Sequence, residues 1–272
     1  MPLQKLQLKP GVDRENTRYT AEGSWYETDK VRFRRGMPQK IGGWVRLSSA
    51  VYLGVCRSMW NWITLGGQNL VAVGTNLKYY IERGGAYFDV TPIRSTVVLT
   101  NPFDTTSGSA TVLVTDLAHG ALENDFVTFS GATAVGGLTL NNEYQISFID
   151  DDSYNITAAT TASSTANGGG TVTAAYQVNT GNEIAVPFTG WSAGSWGSGT
   201  WGFGGTTDAP IRLWSQANFG EDLFFTYRGG ALFYWDASSG VTTRAVYVSS
   251  LGGASDVPTI ANKAFVSDIF RF

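Results

Sequence analysis

Two stretches of the chain decide its fold: Leu70-Val-Ala-Val-Gly-Thr-Asn-Leu-Lys-Tyr-Tyr80 and Leu223-Phe-Phe-Thr-Tyr-Arg-Gly-Gly-Ala-Leu-Phe-Tyr-Trp235. Each is an apolar run, a turn carrying glycine (Gly74; Gly229 and Gly230), and a second aromatic run. Each follows a Gly-centred turn, Gly66-Gly67 or Gly220, with a tryptophan further upstream, Trp62 or Trp214. Two β-rich runs parted by residues that tolerate positive φ mark a hairpin. The same hairpin with the same flanks suggests one supersecondary unit used twice, as in propeller blades. Spacing alone leaves both blades and unrelated hairpins open.

Composition points the same way. Among 272 residues, 33 are glycine, only 15% are charged, and aromatics make up 13%. That mixture favours short strands and tight turns over helices. No stretch of about twelve residues carries a helical apolar stripe. The predicted class is all-β. The lone Cys56 excludes an internal disulfide framework or a multi-cysteine metal site. Its neighbours, Tyr52-Leu-Gly-Val, read it as a buried strand thiol. No apolar run reaches the roughly 18 residues of a membrane span, and no secretion-signal pattern opens the sequence.

The net charge of −3 is unevenly placed. Residues 1–46 hold ten Lys/Arg against five acids, or +5, and the rest holds nine against seventeen, or −8. Such asymmetry marks either a basic arm that docks on an acidic neighbour or nucleic acid, or a solvated surface strand. Within the basic part, Val31 and Phe33 alternate with Arg32 and Arg34, so a strand there buries one face and presents arginines on the other. Gly36, Pro38 and Gly42-Gly43 punctuate a turn before Trp44.

Val31-Arg-Phe-Arg-Arg-Gly-Met-Pro-Gln-Lys-Ile-Gly-Gly-Trp44 resembles the opening of tail structural proteins of double-stranded DNA phages. The resemblance extends to Arg212-Leu-Trp-Ser-Gln-Ala-Asn-Phe-Gly-Glu-Asp-Leu223 and Arg228-Gly-Gly-Ala-Leu-Phe-Tyr-Trp-Asp236. The family it suggests is the nozzle (tail tubular) protein of short-tailed phages. That resemblance implies a propeller-bearing β fold, complete or partial, and a non-enzymatic virion component made in the host cytoplasm. It further implies a ring, six-fold in the family, below the portal and adaptor. Tail fibres or other tail proteins would be its neighbours, and double-stranded DNA would pass through it. It implies no cofactor.

Along the chain, residues 1–50 form the basic docking segment and 51–94 the first part of the β body. Strands are expected at Val51–Cys56, Met59–Thr64, Leu70–Val73, Lys78–Ile81 and Tyr87–Val90. Residues 95–180 lose tryptophan and alternate cleanly, as in Ala110–Thr115, Phe126–Phe129, Tyr144–Phe148, Tyr154–Thr157 and Thr171–Thr173. This reads as a small β-sandwich or barrel inserted into the body, tolerable where the two ends lie close. Its run His119-Gly-Ala-Leu-Glu-Asn-Asp-Phe-Val-Thr-Phe-Ser-Gly131 resembles a module commonly inserted in phage tail proteins. Residues 181–272 complete the body. The chain ends on Ala264–Phe272, an apolar strand pattern; a propeller needs about four blades or more. The sequence is therefore read either as part of a longer protein or as one whose sheets neighbouring chains complete.

Candidate docking residues are Trp25, Tyr26, Lys30, Arg32, Arg34, Arg35, Lys40 and Trp44. Charge interleaved with aromatics could also bind single strands, although the body is acidic, and acidic channel walls would repel phosphate. Trp191, Trp196 and Trp201 recur every five residues among Gly and Ser, which fits neither strand nor helix. They either expose a surface for a sugar or a partner, or plug gaps in the β core. The single His119 lacks the partners of a triad or a metal site. Asp150-Asp151-Asp152 reads as a hairpin turn rather than a calcium loop. Glu221, Asp222 and Asp236 supply the carboxylates of an alternative reading, a tail-associated glycan hydrolase; a carbohydrate-binding module using the three tryptophans is another.

Overall fold

The computed structural model describes residues 8–17, 19–43, 45–46, 48–184 and 211–267. The chain divides into two compact units, Met1–Ser49 and Ala50–Phe272. In the first, β1 (Val31–Arg34) and β2 (Met37–Lys40) form an antiparallel hairpin.

The second unit begins with a four-stranded meander: β3 (Cys56–Ile63), β4 (Asn69–Thr75), β5 (Tyr79–Arg83) and β6 (Ala86–Asp89), paired in that order. The expected strand at Val51–Cys56 is absent. Gly54 takes a φ of +88°, which breaks an extended run. The amides of Leu53 and Val55 go to side chains, the Tyr80 hydroxyl and Asn76 Oδ1, rather than to a ladder. Cys56 consequently starts a strand and is only half-buried, not deep in one.

An insertion follows. One sheet has the order β11 (Glu143–Gln145), β10 (Phe126–Ser130), β15 (Thr171–Gln177) and β7 (Ile93–Thr100). The other runs β12 (Ser147–Asp150), β13 (Ser153–Thr157), β9 (Thr111–Thr115), β8 (Phe103–Thr105) and β14 (Ala166–Gly168). The inward residues of both sheets, among them Phe103, Val114, Val127, Phe129, Tyr154, Ile156, Val172 and Tyr176, share one buried core, so the insertion is a sandwich. The stretch Tyr144–Phe148, read as one strand, is two. Ile146 buries its side chain, donates its amide to Asp125 O at 2.7 Å, and lets the chain pass from one sheet to the other. Entry and exit are neighbours, because Ile93 pairs with Gln177.

The second meander is β16 (Trp214–Phe219), β17 (Asp222–Tyr227), β18 (Leu232–Trp235) and β19 (Val246–Tyr247). Its inner face (Leu223, Phe225, Phe233, Trp235) and that of the first (Leu70, Ala72, Tyr79, Ile81) form a second core. The body is thus propeller-like: two four-stranded antiparallel sheets packed face to face as successive blades are, with no closed barrel among the described residues.

The two upstream tryptophans lock this packing. Trp62 of the first blade donates its Nε1–H to Glu221 O at 2.9 Å, and Trp214 of the second donates to Thr75 O at 2.7 Å. Tyr79 stacks on Phe225 with centroids 4.0 Å apart, and its hydroxyl donates to Gln216 Oε1 at 2.7 Å. Gly74 is not the turn residue the sequence suggested. It lies inside β4, and the turn is made by Thr75, whose Oγ1 accepts the amides of Leu77 and Lys78. The glycine is needed for space: a Cβ there would lie 2.7 Å from Ser58 Oγ and closer still to Trp214.

Gly74→Ala is therefore expected to lower stability by about 1–3 kcal/mol through overpacking, read as a reduced urea midpoint at unchanged slope. An unchanged midpoint would mean that Trp214 can move aside freely.

Candidate docking surface

The arginine hairpin is built by local chemistry. Arg34 pairs with Met37, leaving Arg35 and Gly36 as a two-residue loop, with φ of +51° and +78°. Positive φ at both central positions is the type I′ requirement, matched to strand twist. Register sorts the side chains by face, since directly opposed residues share one. Val31 and Phe33, half-buried, stand across from Lys40 and Pro38; Arg32 and Arg34, exposed, stand across from Gln39 and Met37. Lys40, grouped with the arginines by sequence, thus projects on the opposite face.

Arg32 Nε donates to Gln39 Oε1 at 3.1 Å. Arg32, Arg34 and Arg35 form no ion pair among the described residues. Trp25 packs against Phe33 at 6.2 Å. Tyr26 is 68% exposed, with the Arg14 guanidinium 5.3 Å from its ring centroid. Arg14 also pairs with Glu27 at 3.2 Å. Lys30, at a φ of +55°, lies 3.8 Å from Asp29, and its carbonyl accepts the Ile41 amide. Every β2 residue is exposed, Met37 by 69%. Among the described residues, this ribbon presents its arginines and the whole of β2 as exposed side chains. Trp44, Trp191, Trp196 and Trp201 lie outside the described residues.

His119 is buried, and both ring nitrogens are engaged: Nδ1 accepts the Ala121 amide at 2.9 Å, so Nε2 carries the proton toward Asp150 O at 2.9 Å. Asp150–Asp152 form the β12–β13 turn; hydrogen bonds from the Ser153 hydroxyl and the Asp152 amide hold the Asp150 carboxyl below the usual range. Glu221, Asp222 and Asp236 do converge, around a cavity of about 570 Å³ that Tyr234 also lines. Asp222 accepts the Tyr234 hydroxyl at 2.5 Å and the Ala237 amide at 2.9 Å. Asp236 caps a short 3-10 turn, and the Ser238 and Ser239 side chains lower its carboxyl. Glu221 accepts the Leu65 amide. No cluster suited to a metal ion occurs among the described residues, and no described helix is long and apolar enough to cross a membrane.

The sequence reading missed a charge cluster where blades and insertion meet. Lys78, 3% exposed, contacts Asp89 Oδ2 at 2.8 Å and Glu143, and lies 4.3 Å from the Phe126 ring centroid. Arg244 closes the square, 3.2 Å from Asp89 and 3.1 Å from Glu143. The one available signal was Lys78 itself, a charge inside an apolar cassette. Burial raises the Asp89 carboxyl, but Lys78, Arg244 and the hydrogen bonds from Lys78 and Thr91 outweigh it and leave it lowered. Nearby, the buried Arg212 is pushed down to about 10 by desolvation. It stacks over Tyr227 at 4.1 Å and stays protonated at neutral pH.

Because Asp89 titrates lower in the folded chain than the roughly 3.9 of a free carboxyl, its contribution is fully present above that value. It is lost as pH falls through the depressed native value. Melting temperature measured from pH 6 to 2 should hold level and then drop below about pH 4, with a smaller drop in Asp89→Asn. Identical acid profiles would show that other carboxyls govern the transition.

The chain matches no protein-family profile, and no curated protein matches it. Among solved structures it is similar to the Phage phi92 endosialidase at 17% identity and a TM-score of 0.30. That alignment covers 70% of this chain and 28% of the other, so this chain spans less than a third of the other's length.

Proposed function

We propose that the chain is a structural protein of a phage tail, non-enzymatic, that assembles as a ring of the nozzle through which DNA is ejected. The observation that carries this reading is the arginine ribbon. Three guanidiniums stand at one hairpin face and tip without acidic partners among the described residues, on a segment of charge +5, while the rest of the chain carries −8. Opposite charges on separate parts of one chain favour head-to-tail association of copies, and heterologous contacts of that kind form a ring when the rotation between copies closes. The ribbon docks on a neighbouring subunit or on the adaptor ring. Acidic walls suit a channel that passes DNA without retaining it. The residues of Val31–Trp44, Arg212–Leu223 and Arg228–Asp236 that resemble nozzle proteins fit this reading.

A second reading draws on the cavity at Glu221, Asp222 and Asp236: a tail-associated glycan hydrolase, for which two carboxyls flanking a bond are the minimum. All three carboxylates are already engaged by the protein, Glu221 by the Leu65 amide of the first blade, Asp222 by the Tyr234 hydroxyl and Ala237 amide, and Asp236 by its own loop, which favours the structural reading.

Charge reversal separates the two. Arg32→Glu/Arg34→Glu/Arg35→Glu is expected to leave the fold intact, since all three are exposed, and to abolish higher oligomers in sedimentation velocity at low salt. Assembly equal to the parent would reduce the ribbon to a solvated face. Glu221→Gln and Asp236→Asn should leave oligomers unchanged; release of reducing sugar from host-surface glycan by the parent, and its loss in these variants, would establish the hydrolase instead.

A further inference from the structure

The insertion and the body keep separate cores, joined where Ile93 and Gln177 pair side by side, at Asp125, which accepts from Asn179 and Thr180, and at the charge cluster. The chain crossings are adjacent, and such a pair of strands can act as a hinge. Three parts of the molecule contribute to the cluster: Lys78 and Asp89 from the first blade, Arg244 from the second, and Glu143 with Phe126 from the insertion. Gln177, at the crossing, donates from Nε2 to both Asp89 and Glu143. The four charges cancel, and Glu143 is the insertion's single charge within them.

Immediately beside the cluster the two parts separate. A cavity of about 800 Å³ lies between Asn76 and Leu77 of the body and Leu122, Asn124 and Gln145 of the insertion. Glu143 and Gln145 belong to the same short strand, as Lys78 and Leu77 belong to the same turn. Among the described residues, contact thus gives way to a cavity within two residues.

We propose that the insertion is a hinged arm, latched to the body by the Lys78–Asp89–Glu143–Arg244 cluster. Removing the charge of Glu143 leaves Lys78 and Arg244 against Asp89 alone in a largely buried site, and a broken buried pair is strongly unfavourable. The arm then swings at the crossings while both cores stay packed.

Hydrogen exchange on the full chain tests this. In Glu143→Gln, exchange at the joint amides is expected to rise by about tenfold or more. These are Val178, bonded to Pro92 O at the crossing, and Thr180, bonded to the insertion's Asp125 Oδ1. Amides of β10, β15 and β17 should be unaffected. Arg244→Gln, which breaks the latch from the body side, should give the same joint-confined pattern. Unchanged joint amides, or exchange raised equally through the sandwich core in either variant, would overturn the latch and leave the cluster a plain stabilising element.

Discussion

The contact on which the body depends is the closure of Trp214 over Gly74. With no Cβ at that position, the indole reaches across the blade interface to the Thr75 carbonyl. Trp214 in that place packs against Tyr79 and Tyr227. Tyr79 lies flat on Phe225, and Trp62 meets Trp235 edge-on from the other end. A tier of aromatic rings therefore holds two sheets that are more than a hundred residues apart in sequence. The indole and phenol hydrogen bonds fix register where apolar burial alone would allow sliding.

This constraint explains how the chain tolerates a sandwich of its own between the two blades. The blades are held by each other rather than by the connection, so the connection has only to leave and return at adjacent points. Val90 and Val178, on either side of the excursion, are both buried in the body core. Asp125 ties the returning segment down, accepting from Asn179 Nδ2 and from the Thr180 amide and hydroxyl. Ion pairs and hydrogen bonds, with Phe126 against Lys78, make much of the junction between the two cores.

What was legible in the sequence followed from alternation. Val31 and Phe33 against Arg32 and Arg34 gave the right faces of β1, and the period-two runs between residues 110 and 173 mark strands of the sandwich. The misreadings arose where a residue's role is set by distant neighbours. Gly74 resembles a turn residue locally and is a packing residue because of a tryptophan 140 positions away. Ile146 continues a strand pattern, yet its amide is taken by Asp125 and the strand breaks there. Lys40 belongs to the basic run by composition and to the Val31 face by register. Beyond the charge of Lys78 inside an apolar cassette, the cluster left no trace in the sequence, because its partners come from separate segments that no local pattern pairs.

The proposed ring assembly rests on the charge asymmetry and the exposed arginine ribbon. The most direct measurement is electron microscopy with class averaging of the protein at high concentration. The account predicts rings with a central hole wide enough for duplex DNA, their symmetry giving the subunit count. Particles that remain monomers at every concentration, also when mixed with tails lacking this protein, would contradict it.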